Sequence, residues 1–127
     1  MKFALEGIRI IDLTQVIMGP SSTAQLADHG AEVIKIERPK FGDLSRQFAP
    51  FKDGESLSYQ VFNRNKKSIA IDLKNPDGLK ILFNLIKVSD VIVNNFRPGV
   101  MDSLGLSYES VRKINKRIIY ACGSGFG

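Results

Sequence analysis

Apolar residues recur in five short runs, the first rich in β-branched residues and the third alternating, separated by stretches long enough to hold a helix. Ile8 to Leu13, Glu32 to Glu37, Ser68 to Leu73, Asp90 to Asn94 and Ile118 to Cys122 have the length and residue types of strands. About twenty residues lie between the first two, which is room for a crossover helix, so that pair reads as parallel rather than as a hairpin. Gly19-Pro20 punctuates the loop after the first strand. Ser21-Ser22 reads as the cap of a short helix over residues 23–29, with Gly30 where a helix-ending glycine belongs. Asn75, Pro76 and Asp77 form a helix start, and Leu79, Leu82, Phe83 and Ile86 follow the i, i+3, i+4, i+7 spacing of an apolar helix face. Ser107 caps a further helix to about Ile114.

Strand and helix alternate, which predicts an α/β fold: a Rossmann-like, open, mostly parallel sheet with helices on both faces. One stretch breaks the alternation. From Arg38 to about Asn65, Pro39, Gly42, Pro50 and Gly54 interrupt any period, apart from a helical turn or more at Leu57 to Phe62. A connection this long within a compact domain is more often functional than idle.

Composition narrows the class. The 127 residues are 43% hydrophobic and 24% charged, with a mean hydropathy of −0.05, the profile of one folded domain and not of a disordered segment. The single cysteine, Cys122, excludes a disulfide framework within these residues and points to a reducing, cytoplasmic setting. With His29 the sole histidine, a Cys/His zinc site cannot be assembled, and no metal is expected. No leader-like apolar segment opens the chain and no 18-residue apolar run occurs, so neither a secretory signal nor a membrane partner is expected. Eighteen Lys and Arg against 13 Asp and Glu give a net charge of +5 and a pI near 9.5, compatible with an anionic ligand. A basic nucleic-acid-binding domain is one alternative, but no basic recognition helix or aromatic strand motif accompanies the charge, so no nucleic acid is expected.

In sheets of this kind ligands sit beyond the carboxyl ends of the strands. The first strand is followed by residues 14–20, the second by Arg38, the third by Lys74 and the fourth by Asn95, Phe96, Arg97, Pro98 and Gly99. Parallel strands bring these cations, amides and an aromatic ring to one edge. Such a set suits a nucleotide, with cations facing phosphate, Asn giving a directional amide and Phe a flat face for a base. Plainer readings stand beside it: Arg38 as a solvated charge, Phe96 as core, Lys66-Lys67 as a solvated turn at the far end of the third strand from Lys74, His29 as a surface residue and Cys122 as packing. Neither the loop after the first strand nor Gly123-Ser124-Gly125 has the dinucleotide fingerprint, which speaks against NAD.

Residues 5–14 (LEGIRIIDLT), Gly19-Pro20, residues 26–37 (LADHGAEVIKIE), Gly42-Asp43, residues 63–74 (NRNKKSIAIDLK) and residues 95–99 (NFRPG) resemble, in order and spacing, the amino-terminal part of the class III coenzyme A transferase family. That family includes formyl-CoA transferase, carnitine-type CoA transferases and α-methylacyl-CoA racemase. The resemblance covers essentially the whole chain. It implies a CoA-binding, Rossmann-like unit over residues 1–127, forming the amino-terminal part of a larger interlocked homodimer, with acyl-CoA and a small carboxylic acid as partners. It implies that Val16, Arg38, Ile71, Lys74, Asn95, Phe96 and the adjoining Arg97 meet the adenosine, phosphate and pantetheine portions of coenzyme A, and that Gln15 and Ile17 lie near the thioester. Gln15 and Ile17 stand where formyl-CoA transferase-like members carry histidine and glutamine, Asn94 where glutamate is usual, and Ser103 where many carry arginine.

Members of the family are considerably longer, and the resemblance puts their catalytic aspartate beyond the glycine-rich segment that begins at Gly123, so the chain is expected to be truncated and no residue in it is assigned a catalytic role. In transferases that carboxylate attacks the acyl-CoA carbonyl and expels CoA, which returns to the mixed anhydride to give an aspartyl-CoA thioester; the acceptor acid then reopens it. Racemase members use an acid/base pair in the same later region. A noncatalytic nucleotide- or CoA-binding module, or an acyl-CoA racemase of the same family, is a further alternative.

Overall fold

The computed structural model describes residues 2–125; Phe126 and Gly127, the end of the glycine-rich segment, lie outside them. The main elements are strands β1 (Arg9–Asp12) and β2 (Glu32–Glu37) joined by helix α1 (Met18–Asp28), then a 3-10 turn (Leu44–Gln47), a two-stranded ribbon β3 (Phe51–Lys52) and β4 (Glu55–Ser56), and helix α2 (Leu57–Asn63). There follow β5 (Lys67–Ala70), α3 (Pro76–Lys87), β6 (Val91–Asn94), the short α4 (Val100–Ser103), α5 (Tyr108–Ile114) and β7 (Ile119–Cys122). Five strands pair in the order β5-β2-β1-β6-β7, and every pairing is parallel. The chain winds outward from β1 through β2 to β5, then returns to β6 on the other side, so the β1/β6 boundary is the switch point of a doubly wound sheet.

Side chains alternate across the sheet. Ile11, Leu13, Ile36 and Ile92 face Leu82 and Ile86 of α3 and Val111 of α5, all fully or nearly fully buried. Ile10 and Val33 face the opposite way, against Ala27 of α1 and Ala31. Asp12 and Lys35 share that second face, because each is two residues from an inward-facing neighbour. Helices therefore cover both faces, and the α1 side carries buried charge as well as apolar packing.

Several boundaries differ from the sequence reading. Helix α1 begins at Met18, with Gly19 and Pro20 inside its first turn, where a proline costs no hydrogen bond. Ser21 and Ser22 do not cap it; both hydroxyls donate back to the Met18 carbonyl, at 2.9 and 3.0 Å. The third main strand stops at Ala70, three residues short of the expected end, because Asp72 turns the chain by accepting from the Lys74 N–H. Gly30 does end α1, with φ +98°. The ribbon, the 3-10 turn and α4 carry no periodic signal, and sequence reading missed them.

Candidate functional site

Two adjoining clefts open beyond the carboxyl ends of the strands. The larger, about 610 Å³, has an apolar floor of Leu13, Ile36 and Ile71, with Phe96, Leu73 and Leu104 above it and Arg38, Lys40 and Lys74 at its margin. The smaller, about 510 Å³, is lined by Gln15, Val16, Ile17, Met18, Leu44, Asn95, Phe96 and Arg97. Gln15, Leu44 and Phe96 border both. All nine residues singled out in the sequence line one cleft or the other: Arg38, Ile71 and Lys74 the larger, Val16, Ile17, Asn95 and Arg97 the smaller, Gln15 and Phe96 both. Lys40, Phe41, Leu44, Met18, Val100 and Leu104 join them without having been singled out. The stretch from Arg38 to Asn65 holds several other apolar residues, Phe48, Phe51 and Val61 among them, so nothing in the sequence set Phe41 and Leu44 apart.

The loop after β1 is set by side chains from three other segments. Lys35 of β2 donates its ammonium to the Thr14 carbonyl at 2.8 Å. Asn95, just past β6, accepts from the Gln15 N–H and donates to the Gln15 carbonyl, both at 2.8 Å. The sequence reading assigned that amide to a ligand; its oxygen and one N–H are spent on Gln15 instead. Asp43 accepts from the Val16 N–H at 3.1 and 3.3 Å. Val16 sits at φ +72°, a left-handed conformation that a β-branched side chain adopts at a cost of about 1–3 kcal/mol.

Two sealed ion pairs lie beneath this loop. Lys35 meets Asp43 at 2.8 Å and Lys66 meets Asp12 at 2.9 Å, with every one of these side chains at most 1% exposed. Asp12 also accepts from the Thr14 N–H and hydroxyl and from the Thr23 hydroxyl of α1, and Lys66 donates further to the Pro20 carbonyl and to Asn63. Burial alone would raise the Asp43 carboxyl, but Lys35 and the Ser45 contacts outweigh it and the net shift is downward. Burial pulls the Lys66 ammonium below its ordinary value, with Asp12 opposing. Lys66 is thus no solvated turn residue. Its neighbour Lys67 is exposed and pairs with Glu32. Cys122 also departs from expectation, since it is exposed at the end of β7, an edge strand with nothing paired beyond it among the described residues.

A second cluster fastens the long excursion to the sheet. Glu37, at the end of β2, accepts from Arg46 twice, from Tyr59 and from Ser68, all at 2.7–2.8 Å, and from the Asp43 N–H. Burial works against its charge, yet these donors hold its carboxyl down from 4.5 to about 2. The Arg46 guanidinium stacks 3.7 Å from the Tyr59 ring centre. Among the described residues no cluster of His, Cys, Asp and Glu is arranged to hold a metal ion, and no helix is long and apolar enough to cross a membrane.

The fold and the placement of the clefts are those of doubly wound α/β proteins, which take ligands at the switch point. The family model described as CoA-transferase family III matches residues 5–127, and the chain belongs to that family. It is 48% identical, over its full length, to formyl-CoA:oxalate CoA-transferase of Afipia carboxidovorans, covering 30% of that protein. It is 49% identical to human succinyl-CoA:glutarate CoA-transferase, over 97% of this chain and 28% of that one. Among solved structures, a CAIB/BAIF family protein from Brucella suis superposes with a TM-score of 0.89 at 33% identity, over 96% of this chain and 33% of that one. A hypothetical protein from Mycobacterium tuberculosis does so with a TM-score of 0.90 at 37% identity, over 98% and 33%. The chain spans about 30% of the length of the curated relatives it matches.

Proposed function

We propose that the two clefts form the coenzyme A site of a protein that moves CoA between an acyl thioester and a small carboxylic acid. What supports this reading most is that three exposed cations, Arg38, Lys40 and Lys74, line the same cleft as the apolar Leu13, Ile36 and Ile71. They outnumber the exposed Asp72 beside them, while Glu37 in the lining is neutralised by Arg46. Phosphates and a pantetheine arm need those two surfaces side by side. Arg38 and Lys74 face the phosphates, Phe96 and Ile71 the nucleotide and the arm, and Val16, Asn95 and Arg97 complete the site. Gln15 and Ile17 lie by the thioester. The attacking carboxylate is supplied from outside residues 1–127. The relatives named above take oxalate or glutarate, so a small dicarboxylic acid is the acceptor class to test first. A cytoplasmic setting and a homodimer complete the proposal for the whole protein.

Calorimetric titration of CoA into the gene's complete product, alongside mass-spectrometric detection of acyl exchange between acyl-CoA donors and dicarboxylic acids, tests it. Binding that Lys74→Ala weakens by about ten-fold supports the reading, at the worth of one charge-assisted contact. A parent protein that neither binds CoA nor exchanges acyl groups would overturn it.

A further inference from the structure

Thr14, Gln15 and Val16 are each held at a main-chain atom by a side chain from elsewhere in the fold: Lys35, Asn95 and Asp43. Asp43 carries the constraint that the loop would otherwise resist. Its carboxylate takes the Val16 N–H, the Ser45 N–H and hydroxyl, and the Lys35 ammonium, and the residue is 1% exposed. Lys35 leaves it no freedom to swing away, because that ammonium is itself anchored on Thr14.

Val16 at φ +72° is the residue that needs such holding. A glycine would take this conformation without resistance, and the sheet does not dictate it, since β1 has ended at Asp12 and α1 has not begun until Met18. The chain instead keeps a branched side chain there, lining the smaller cleft between Gln15 and Ile17. Such backbone strain persists only where surrounding groups over-determine it, and it concentrates where a ligand must be met in one geometry.

We propose that Asp43 is a positioning residue of the acyl-CoA site: locked by Lys35, its carboxylate holds Val16 in the left-handed conformation that presents Gln15, Val16 and Ile17 to the cleft as one preset surface. This rests on reading the clefts as the CoA thioester site. Asp43 touches no substrate in this role and acts through the Val16 amide.

A double-substitution cycle in the gene's complete product separates this role from a merely structural one. Asp43→Asn weakens the grip on the Val16 N–H and also leaves the buried Lys35 without its counter-charge, an effect common to both backgrounds that the cycle subtracts. Val16→Gly removes the need for that grip. The expected result is a drop in kcat/KM for acyl-CoA of about ten-fold or more for Asp43→Asn in the valine background, and of less than about three-fold in the glycine background. The same factor in both backgrounds, or no drop in the first, overturns the proposal. Should Asp43→Asn fail to accumulate as folded protein, Asp43→Glu, which keeps the charge on Lys35 but displaces the carboxylate, enters the same cycle under the same criterion. A parent protein that neither binds CoA nor turns over an acyl-CoA overturns the functional reading itself, and this role with it. That failure is visible without any substitution, so the two are told apart.

Discussion

Asn95 grips Gln15 by both of its main-chain polar atoms, across 80 residues of sequence. One carboxamide thereby ties the loop after β1 to the loop after β6, on the two sides of the switch point.

Asn95→Ala leaves the Gln15 N–H and carbonyl without their protein partner in a half-buried setting. The expected cost is about 1–3 kcal/mol of stability, read from the urea midpoint at unchanged m-value. Asn95→Asp keeps the acceptor but faces the Gln15 carbonyl with a charge, and is expected to recover little.

Lys74 and Lys66 lie near each other in sequence and are expected to fail in opposite ways. Lys74→Ala removes an exposed cation, so the melting temperature should hold while CoA affinity falls about ten-fold. Lys66→Met strands the buried Asp12 carboxylate and should cost about 3–5 kcal/mol. Asp12→Asn added to Lys66→Met should return part of that loss. Thermal melts and calorimetry on the same preparations distinguish the two patterns.

Glu37 gives the fold an acid-sensitive fastening. Its carboxyl is held at about 2 when folded against an ordinary 4.5, so its contribution is full above about pH 4.5 and is lost as pH falls toward 2. Between those limits about 2–3 kcal/mol of stability should disappear, and Glu37→Gln should flatten that slope. Urea midpoints at successive pH values measure it.

Gly42 tests how closely the excursion is seated. At φ +64° it already favours glycine, and an added Cβ would approach Glu37 Oε2 at 2.6 Å and the Arg46 side chain at 2.7 Å. Gly42→Ala should therefore weaken the Arg46–Glu37 contact and lower the melting temperature, while Gly54→Ala, with open space around it, should do less through contacts.

The five sheet strands were legible because each is a short run of strand length, β-branched or alternating in pattern. Their parallel sense followed from the crossover length between the first two and the strand–helix alternation of the rest; their order in the sheet was not read from the sequence. Helix α3 was legible for the same local reasons, its Asn75 cap and its apolar spacing. Lys66 was not, because its burial depends on Asp12, 54 residues earlier in the chain, and nothing near Lys66 signals that partner. Asp12 carried a signal that went unread: an acid inside an apolar strand needs a counter-charge. Post-strand position brought eight of the nine residues to the clefts, and Ile71, inside an expected strand, came only from the family resemblance. Position could not say that Asn95 is turned toward Gln15, since that depends on how two loops meet. The contribution of Phe41, Leu44 and α4 to the walls arises from segments without period, where only the three-dimensional path decides which side chains turn inward.

The two sealed ion pairs also divide the charges at this edge by their response to ionic strength. Lys35, Asp43, Lys66 and Asp12 are out of reach of dissolved counter-ions, whereas Arg38, Lys40 and Lys74 stand in water, where at about 0.15 M salt fields fade over roughly 8 Å. Raising salt should therefore slow the capture of an anionic ligand while leaving the shape that receives it intact, so that weaker binding in brine reports the approach of the ligand and not the collapse of its seat.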